Sequence, residues 1–460
     1  MNLDNKDSLN ILVLYEPHYL YIETVKEYLE SFLSYSKHNI SYFPGNQGFN
    51  SLVSIHLESF DVIVIHYSLR VCFSIGGGTL SEKLKEQLLS FKGYKVLFIQ
   101  DEYDHTNLAK YWISHLGIHL VYTCVPSPWA ETIYPKNEFP HTVFISILTG
   151  YVPEKLKALS PPPLEKRPLL IGYRGRNLPY RYGDLGQEKM NIGVRMQAIA
   201  ERYHLLTDIA WTEDKRIYKE NWYTFLSSCR ATLGTESGSN VFDFTGEISE
   251  KIETYLRECP HASYEEVHEQ FLKNLNSPIE MNQISPKLFE AMALKTALIL
   301  FEGHYSGILI PHRHYIPLKK DFSNIQFVFE KLEDLSYLNT MVNTAYEEIV
   351  LNEEYSYAHL VHQFDKFLES THPALKTKNT SILGGRNLTL YKRPVDSREI
   401  LSDLKKMSKK NYFLKLKLGF FLFSRKVESF LIKMINSYFP FLKPFLKYLK
   451  QKVREVVYVK

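Results

Sequence analysis

The chain has 460 residues, 45% hydrophobic and 14% aromatic, which is enough apolar material for two or three packed units and excludes a disordered protein. Its net charge of +4 is unevenly spread: residues 401–460 carry 15 basic and three acidic residues, so a strongly basic tail follows a body of net charge −8. Four scattered cysteines (Cys72, Cys124, Cys229, Cys259) without a CxxC pair argue against a zinc site or disulfide framework and for a reducing compartment. Residues 1–7 are polar and show no signal-peptide pattern, so a cytoplasmic location is expected.

Residues 10–15 read as a buried opening strand, followed by the turn Glu16-Pro17-His18 and an amphipathic helix to about residue 33. Two further apolar runs, 61–67 and 95–100, read as strands, with a helix pattern at 81–91 between them. Strands alternating with helices imply a parallel, doubly wound α/β sheet. His66, Asp101 and Glu102 fall where strands end, facing the ligand crevice of such a sheet. Each is either a ligand contact or a helix cap in a solvated loop. The loop Gly76-Gly77-Gly78, before the capping-box candidate Thr79 to Glu82, reads as mobile or as an anion site. A strand at 143–147 closes a first lobe of residues 1–153, and Pro161-Pro162-Pro163 mark a linker at 154–167.

The pattern restarts at 168–173 with a strand that opens a second lobe of residues 168–370. Arg174-Gly175-Arg176 follows at once, and Lys189 comes later, with Arg181 between them. These cations either hold an anion or pair with Asp184 and Glu188. Residues 230–234 read as a strand ending in Thr235-Glu236-Ser237-Gly238, and a polar insertion spans 243–283 with a helix at 263–272. Next, Ser285 and Pro286 suit an N-cap and a first helical position. Leu288, Phe289 and Met292 recur at helical spacing, with Glu290 on another face. A buried strand at 296–301 leads into a glycine-containing loop that includes Tyr305, Ser306 and Gly307, and residues 343–370 form closing helices.

Residues 371–400 are turn-rich and read as a linker. In 401–460, lysines alternate with large apolar residues at three- and four-residue steps. The longest uncharged run there, 434–442, has nine residues, against the ~20 a spanning helix needs. A basic amphipathic tail of this kind lies on anionic lipid, or else packs on the body or on a partner subunit. Nucleic acid is not expected, because no recognisable binding module accompanies the basic stretch.

Phe289-Glu290-Ala291-Met292-Ala293 resembles the second half of the Glu-x7-Glu signature of retaining glycosyltransferases of the GT-B fold. Gly172 to Arg176 and residues 314–324 resemble a divergent branch of that family from bacterial surface-polysaccharide clusters. The likeness covers roughly residues 8–370, with departures: Asn282 replaces the first signature Glu, and Lys295 replaces a usual Gly. The resemblance implies two Rossmann-like lobes with an acceptor on the first and a nucleotide-sugar donor mainly on the second. It implies that Glu290 binds the donor ribose, that Arg174, Arg176 and Lys189 neutralise the diphosphate, and that Ser285, Tyr305, Ser306 and Gly307 lie against the donor. Glu236 either takes over the missing first Glu or makes a turn. His66, Asp101 and Glu102 contact acceptor or sugar hydroxyls. Expected with these are a glycan or lipid-linked acceptor, retention by front-face displacement, no cofactor and no metal, and attachment to the inner face of the membrane through 401–460. Two alternatives stay open: a polyol-phosphate transferase on the same scaffold, and a catalytically silent glycan-binding or scaffold subunit at the membrane.

Overall fold

A computed structural model describes residues 8–46, 55–70, 80–275, 278–371 and 390–408, with positions 418, 422 and 426. The first lobe holds β1 (Asn10–Tyr15), β2 (Asn39–Pro44), β3 (Val62–Ile65), β4 (Tyr94–Ile99), β5 (Leu120–Thr123) and β6 (Val143–Ser146), in the order β2-β1-β3-β4-β5-β6 and parallel throughout. Alternate side chains feed two cores. Leu12, Leu14, Ile63 and Ile65 pack on one face; Ile11, Val13, Val62 and Val64 pack on the other. That two-sided burial explains the unbroken apolar runs.

The second lobe holds β7 (Leu169–Arg174), β8 (Thr207–Ala210), β9 (Cys229–Gly234), β10 (Ala297–Phe301) and β11 (Ile316–Leu318), in the order β11-β10-β9-β7-β8, again parallel. The expected α/β architecture of two doubly wound lobes is therefore present. Four strands escape the sequence reading. β2 ends in Pro44, β5 and β8 are four residues long, and β11 has three residues around Pro317, so none shows a clear period.

Three connections tie the lobes together. The helix Tyr357–Thr371 crosses back, packing Tyr357, Leu360 and Phe364 among Tyr28, Phe32 and Phe98 of the first lobe. The excursion after β9, read as an insertion in the second lobe, is a strap: Phe242, Ile279 and Met281 are buried in the first lobe's core. Within it, Asp243 accepts from the N–H groups of Gly246, Ile248 and Ser249 at the start of the helix Glu247–Glu258, and its own N–H donates to the Tyr103 carbonyl at 2.9 Å. Finally, Gln283 donates to the Cys124 carbonyl (3.0 Å), and the Tyr182 hydroxyl donates to Asp104 (3.2 Å).

The stretch read as a linker at 371–400 docks over its last part. Tyr391 forms an antiparallel bridge with Tyr42, and the Tyr15 hydroxyl exchanges hydrogen bonds with Val395 at 2.8 and 2.9 Å. The helix Ser397–Ser408 follows, burying Ile400 and Leu404. The segment leading into the basic region is thus docked on Tyr15 at the end of β1 and on Tyr42 within β2. The rest of the tail, apart from positions 418, 422 and 426, lies outside the described residues, as does the Gly76 to Gly78 loop. Among the described residues, no helix is long and apolar enough to cross a membrane.

Candidate active site

The segments after the carboxyl ends of β4 and β5 meet residues of the second lobe and its strap, and a cleft enclosing about 600 Å³, including open solvent, runs between the lobes. Its second-lobe wall comes from Arg174 at the end of β7 and Gly175 after it, from Arg216 to Lys219, from Trp222 and Tyr223, and from Lys287 and Glu290. Ile22, Glu23 and Thr24 of the first lobe complete it.

The helix Pro286–Ala293 sets the central pair. Leu288, Phe289 and Met292 are buried in the second-lobe core, which leaves Lys287 and Glu290 along the cleft. Ser285 occupies the N-cap, but its hydroxyl makes no capping bond. Glu290 is 5% exposed. Its Oε2 accepts from the Trp222 indole N–H at 2.6 Å. Burial pushes its carboxyl up to about 7, opposed by the Trp222 bond and by Lys287 and Lys155, and assisted by Glu27. A freely solvated helix carboxylate is thereby excluded.

Further cations lie near its helix neighbour Lys287. Lys189, on the helix Gly183–Arg202, donates to the Ser237 hydroxyl at 2.9 Å. Burial pushes it down to about 8, with Lys287 and Arg176 adding repulsion and Asp101 opposing. Lys287 is hemmed in by the cleft wall while its side chain stays open to solvent. It donates to the Arg174 carbonyl (3.2 Å); crowding at the cleft wall pushes its ammonium down, with Glu290 opposing and Arg216 and Arg176 adding, and its exposure to solvent limits the shift. Arg176 is exposed. Arg174 is placed differently: its guanidinium donates to the carbonyls of Lys215, Tyr173 and Asp208 and to the Asp208 carboxylate, and it stacks 4.3 Å over the Phe225 ring. Four of its five N–H groups thus hold the second lobe together.

The glycine-containing loop is closed on itself. Glu236 accepts from the N–H groups of His304 and Tyr305, each at 2.7 Å, and from the Asn282 amide. The Ser306 N–H donates to the Asn282 carbonyl and the Gly307 N–H to His304. Tyr305 is fully buried, with its hydroxyl on the Phe301 carbonyl. The Ser306 hydroxyl accepts from the Ile284 N–H. Glu236 therefore stands next to Asn282, the position of the missing signature Glu, and fills an anion-binding nest with the protein's own carboxylate.

On the first lobe, Asp101 alone of the three candidates presents its side chain to solvent. It is 48% exposed, has a left-handed backbone (φ 61°) and accepts from the Tyr103 hydroxyl. His66 is fully buried, with Nδ1 paired to Ser68. Its imidazole is pushed down to about 3 by burial, which keeps it neutral. Glu102 is 1% exposed, accepts from the Thr123 hydroxyl, and is pushed up to about 8 by burial, so it holds a proton at neutral pH. Sequence reasoning missed Trp222, Lys287, Arg216, Tyr218 and Lys219. Only Lys287, one helical turn before Glu290, left a readable signal.

The sequence matches no family model, and no curated protein matches it. Among solved structures, it is similar to an alpha-glucosyltransferase (AGT) in complex with UDP, at TM-score 0.46 and 9% identity, covering 79% of this chain and 100% of that one. It is similar to the Anabaena protein HepE in complex with UDP-glucose, at TM-score 0.42 and 11% identity, with coverages of 79% and 100%. For TarM the values are 0.37 and 13%, with coverages of 70% and 56%. With TM-scores under 0.5, none of these transfers a site or an activity to this chain.

Proposed function

We propose that the protein is a glycosyltransferase that moves a sugar from a nucleotide-sugar donor to a glycan or lipid-linked acceptor in bacterial surface-polysaccharide synthesis. The observation that carries this reading is a cleft that holds Lys287 one helical turn from the buried carboxylate of Glu290, with Arg216 in its wall and Lys189 and Arg176 near enough to repel Lys287. A diphosphate relieves the repulsion, and ribose hydroxyls satisfy the carboxylate. In this reading Glu290 accepts from the ribose. Lys189, Lys287 and Arg176 hold the diphosphate and stabilise charge as it leaves. Asp101 meets the acceptor side, with neutral His66 and Glu102 behind it. The bond from the anomeric carbon to the diphosphate oxygen breaks as the acceptor oxygen bonds on the same face, and the acceptor proton passes to the departing phosphate. Configuration is retained without a protein nucleophile. Catalysis then rests on positioning and on preorganised positive charge rather than on a metal or other cofactor.

The basic tail holds the protein to anionic lipid at the inner face of the membrane, so that a lipid-linked acceptor is found by a two-dimensional search. One observation favours a second reading. Glu236 occupies the loop nest, as suits a scaffold subunit that binds glycan without turnover. A screen of nucleotide-sugar donors for release of free nucleotide, with and without lipid-linked acceptor, decides between them. Release from one donor supports transfer, and release from none supports the silent subunit.

A further inference from the structure

A carboxylate that grips two neighbouring hydroxyls has to be held in one orientation, and Glu290 sits on a short helix with three rotatable side-chain bonds. Trp222 addresses this from another element. It lies on the helix Glu220–Ser227, is 9% exposed, and stacks on Phe225 at 5.7 Å between ring centroids. Its indole N–H donates to Glu290 Oε2 at 2.6 Å, and Lys287 Nζ lies 5.2 Å from the centre of the same ring. One side chain therefore fixes both the carboxylate and the cation that precedes it by one helical turn. Indole has a single donor and no acceptor, so the bond can run only one way, and it favours the ionised form of the acid. With Oε2 anchored, Oε1 and the free lone pair of Oε2 are left for ligand hydroxyls.

We propose that Trp222 is a positioning residue that sets Glu290 to discriminate ribose from deoxyribose in the donor nucleotide; this rests on the nucleotide-sugar reading above. The groups facing Glu290 are Lys287 on its own helix, Tyr223 beside Trp222, Glu27 on the helix Glu23–Tyr35, Lys155 on the helix Glu154–Lys157, and Tyr357. Lys155 is bonded to Glu23 and Glu27 at 2.7 and 2.8 Å, so one cation is shared between two carboxylates. Trp222 is the hydrogen-bond donor to Glu290.

The test uses the full chain and pairs of ribo- and 2′-deoxyribonucleoside diphosphates of uridine, cytidine, adenosine and guanosine, titrated calorimetrically between pH 5.5 and 8.5. Wild-type protein should prefer a ribonucleotide by ~tenfold or more, since a hydrogen bond to a charged group is worth that much. The preference should grow as pH rises through about 7, where Glu290 ionises. In Trp222→Phe the preference should fall to about threefold at pH 7 and its pH midpoint should move upward, while any loss of affinity through Lys287 falls equally on the ribo and deoxy forms and leaves their ratio unaffected. Because Trp222 is a core residue, the isosteric benzothienylalanine at position 222, which lacks only the N–H, provides a second variant. If wild-type protein binds no nucleoside diphosphate, the nucleotide reading itself fails. If it binds and both variants keep the wild-type ribose preference and midpoint, the positioning role fails alone.

Discussion

Replacing Glu290 with Gln should make the protein more stable and less able to bind nucleotide. The carboxyl is pushed up to about 7 in the folded protein against 4.5 in the unfolded chain. Each unit is worth ~1.4 kcal/mol, so keeping the ionised acid buried costs roughly 3 kcal/mol at neutral pH and above. The sign follows from proton binding. Between pH 4.5 and 7 the folded state keeps a proton that the unfolded chain has lost, so wild-type stability falls across that window and then levels off. Glutamine keeps the side-chain length and an oxygen for the Trp222 indole, so most of the penalty is removed without opening a cavity. Urea denaturation followed by circular dichroism at pH 5, 6, 7 and 8.5 reads the difference. Glu290→Gln should match wild type near pH 5 and exceed it by about 2–3 kcal/mol at pH 8.5. A pH-independent difference, or a wild type that is the more stable protein at pH 8.5, refutes the reasoning.

Other perturbations separate scaffold from chemistry. Glu236→Ala strands the N–H groups of His304 and Tyr305 and the Asn282 amide, at ~1–3 kcal/mol each, and hydrogen exchange across 302–308 should accelerate; unchanged exchange contradicts the brace. Arg174→Ala should lower the melting temperature because it unties Asp208 and the Lys215 loop, whereas Arg176→Ala should leave melting alone and slow turnover ~tenfold or more; the reverse pattern counts against both placements. At pH 8.5, nucleoside diphosphate binding should take up protons, because a bound anion raises Lys189 from about 8; equal calorimetric enthalpies in buffers of different ionisation heat would show no uptake. Full-length protein should float with anionic vesicles at low salt and be released at high salt, and protein lacking 409–460 should not float; flotation that survives the deletion moves the attachment elsewhere.

Much of the scaffold was readable because it rests on local patterns. Runs such as Ile11 to Tyr15 are apolar for lack of a solvent face, and Pro286 marks its helix start by its fixed φ. Glu290 could be singled out because Phe289 to Ala293 resembles a family signature in which the carboxylate has a role. What stayed hidden depends on contacts remote in sequence. Trp222 meets Glu290 68 positions away, and Glu236 meets Tyr305 69 positions away. The polar excursion after β9 looked like a surface insertion because its three anchoring residues, Phe242, Ile279 and Met281, are too sparse to show a period, yet they belong to the other lobe's core. Arg174 and Arg176 look equivalent in sequence. Arg174 is the last residue of β7 and turns its guanidinium onto Asp208, whereas Arg176, two residues past the strand end, is exposed.

The most direct measurement of the central claim is calorimetric titration of nucleoside diphosphates and nucleotide sugars into wild-type protein and Glu290→Ala at pH 7.5. The account predicts saturable binding of at least one nucleotide and a loss of tenfold or more in Glu290→Ala, by the strength of charge-assisted hydrogen bonds, with the variant still folded by circular dichroism. Unchanged affinity in the variant, or no nucleotide binding by the wild type, contradicts it.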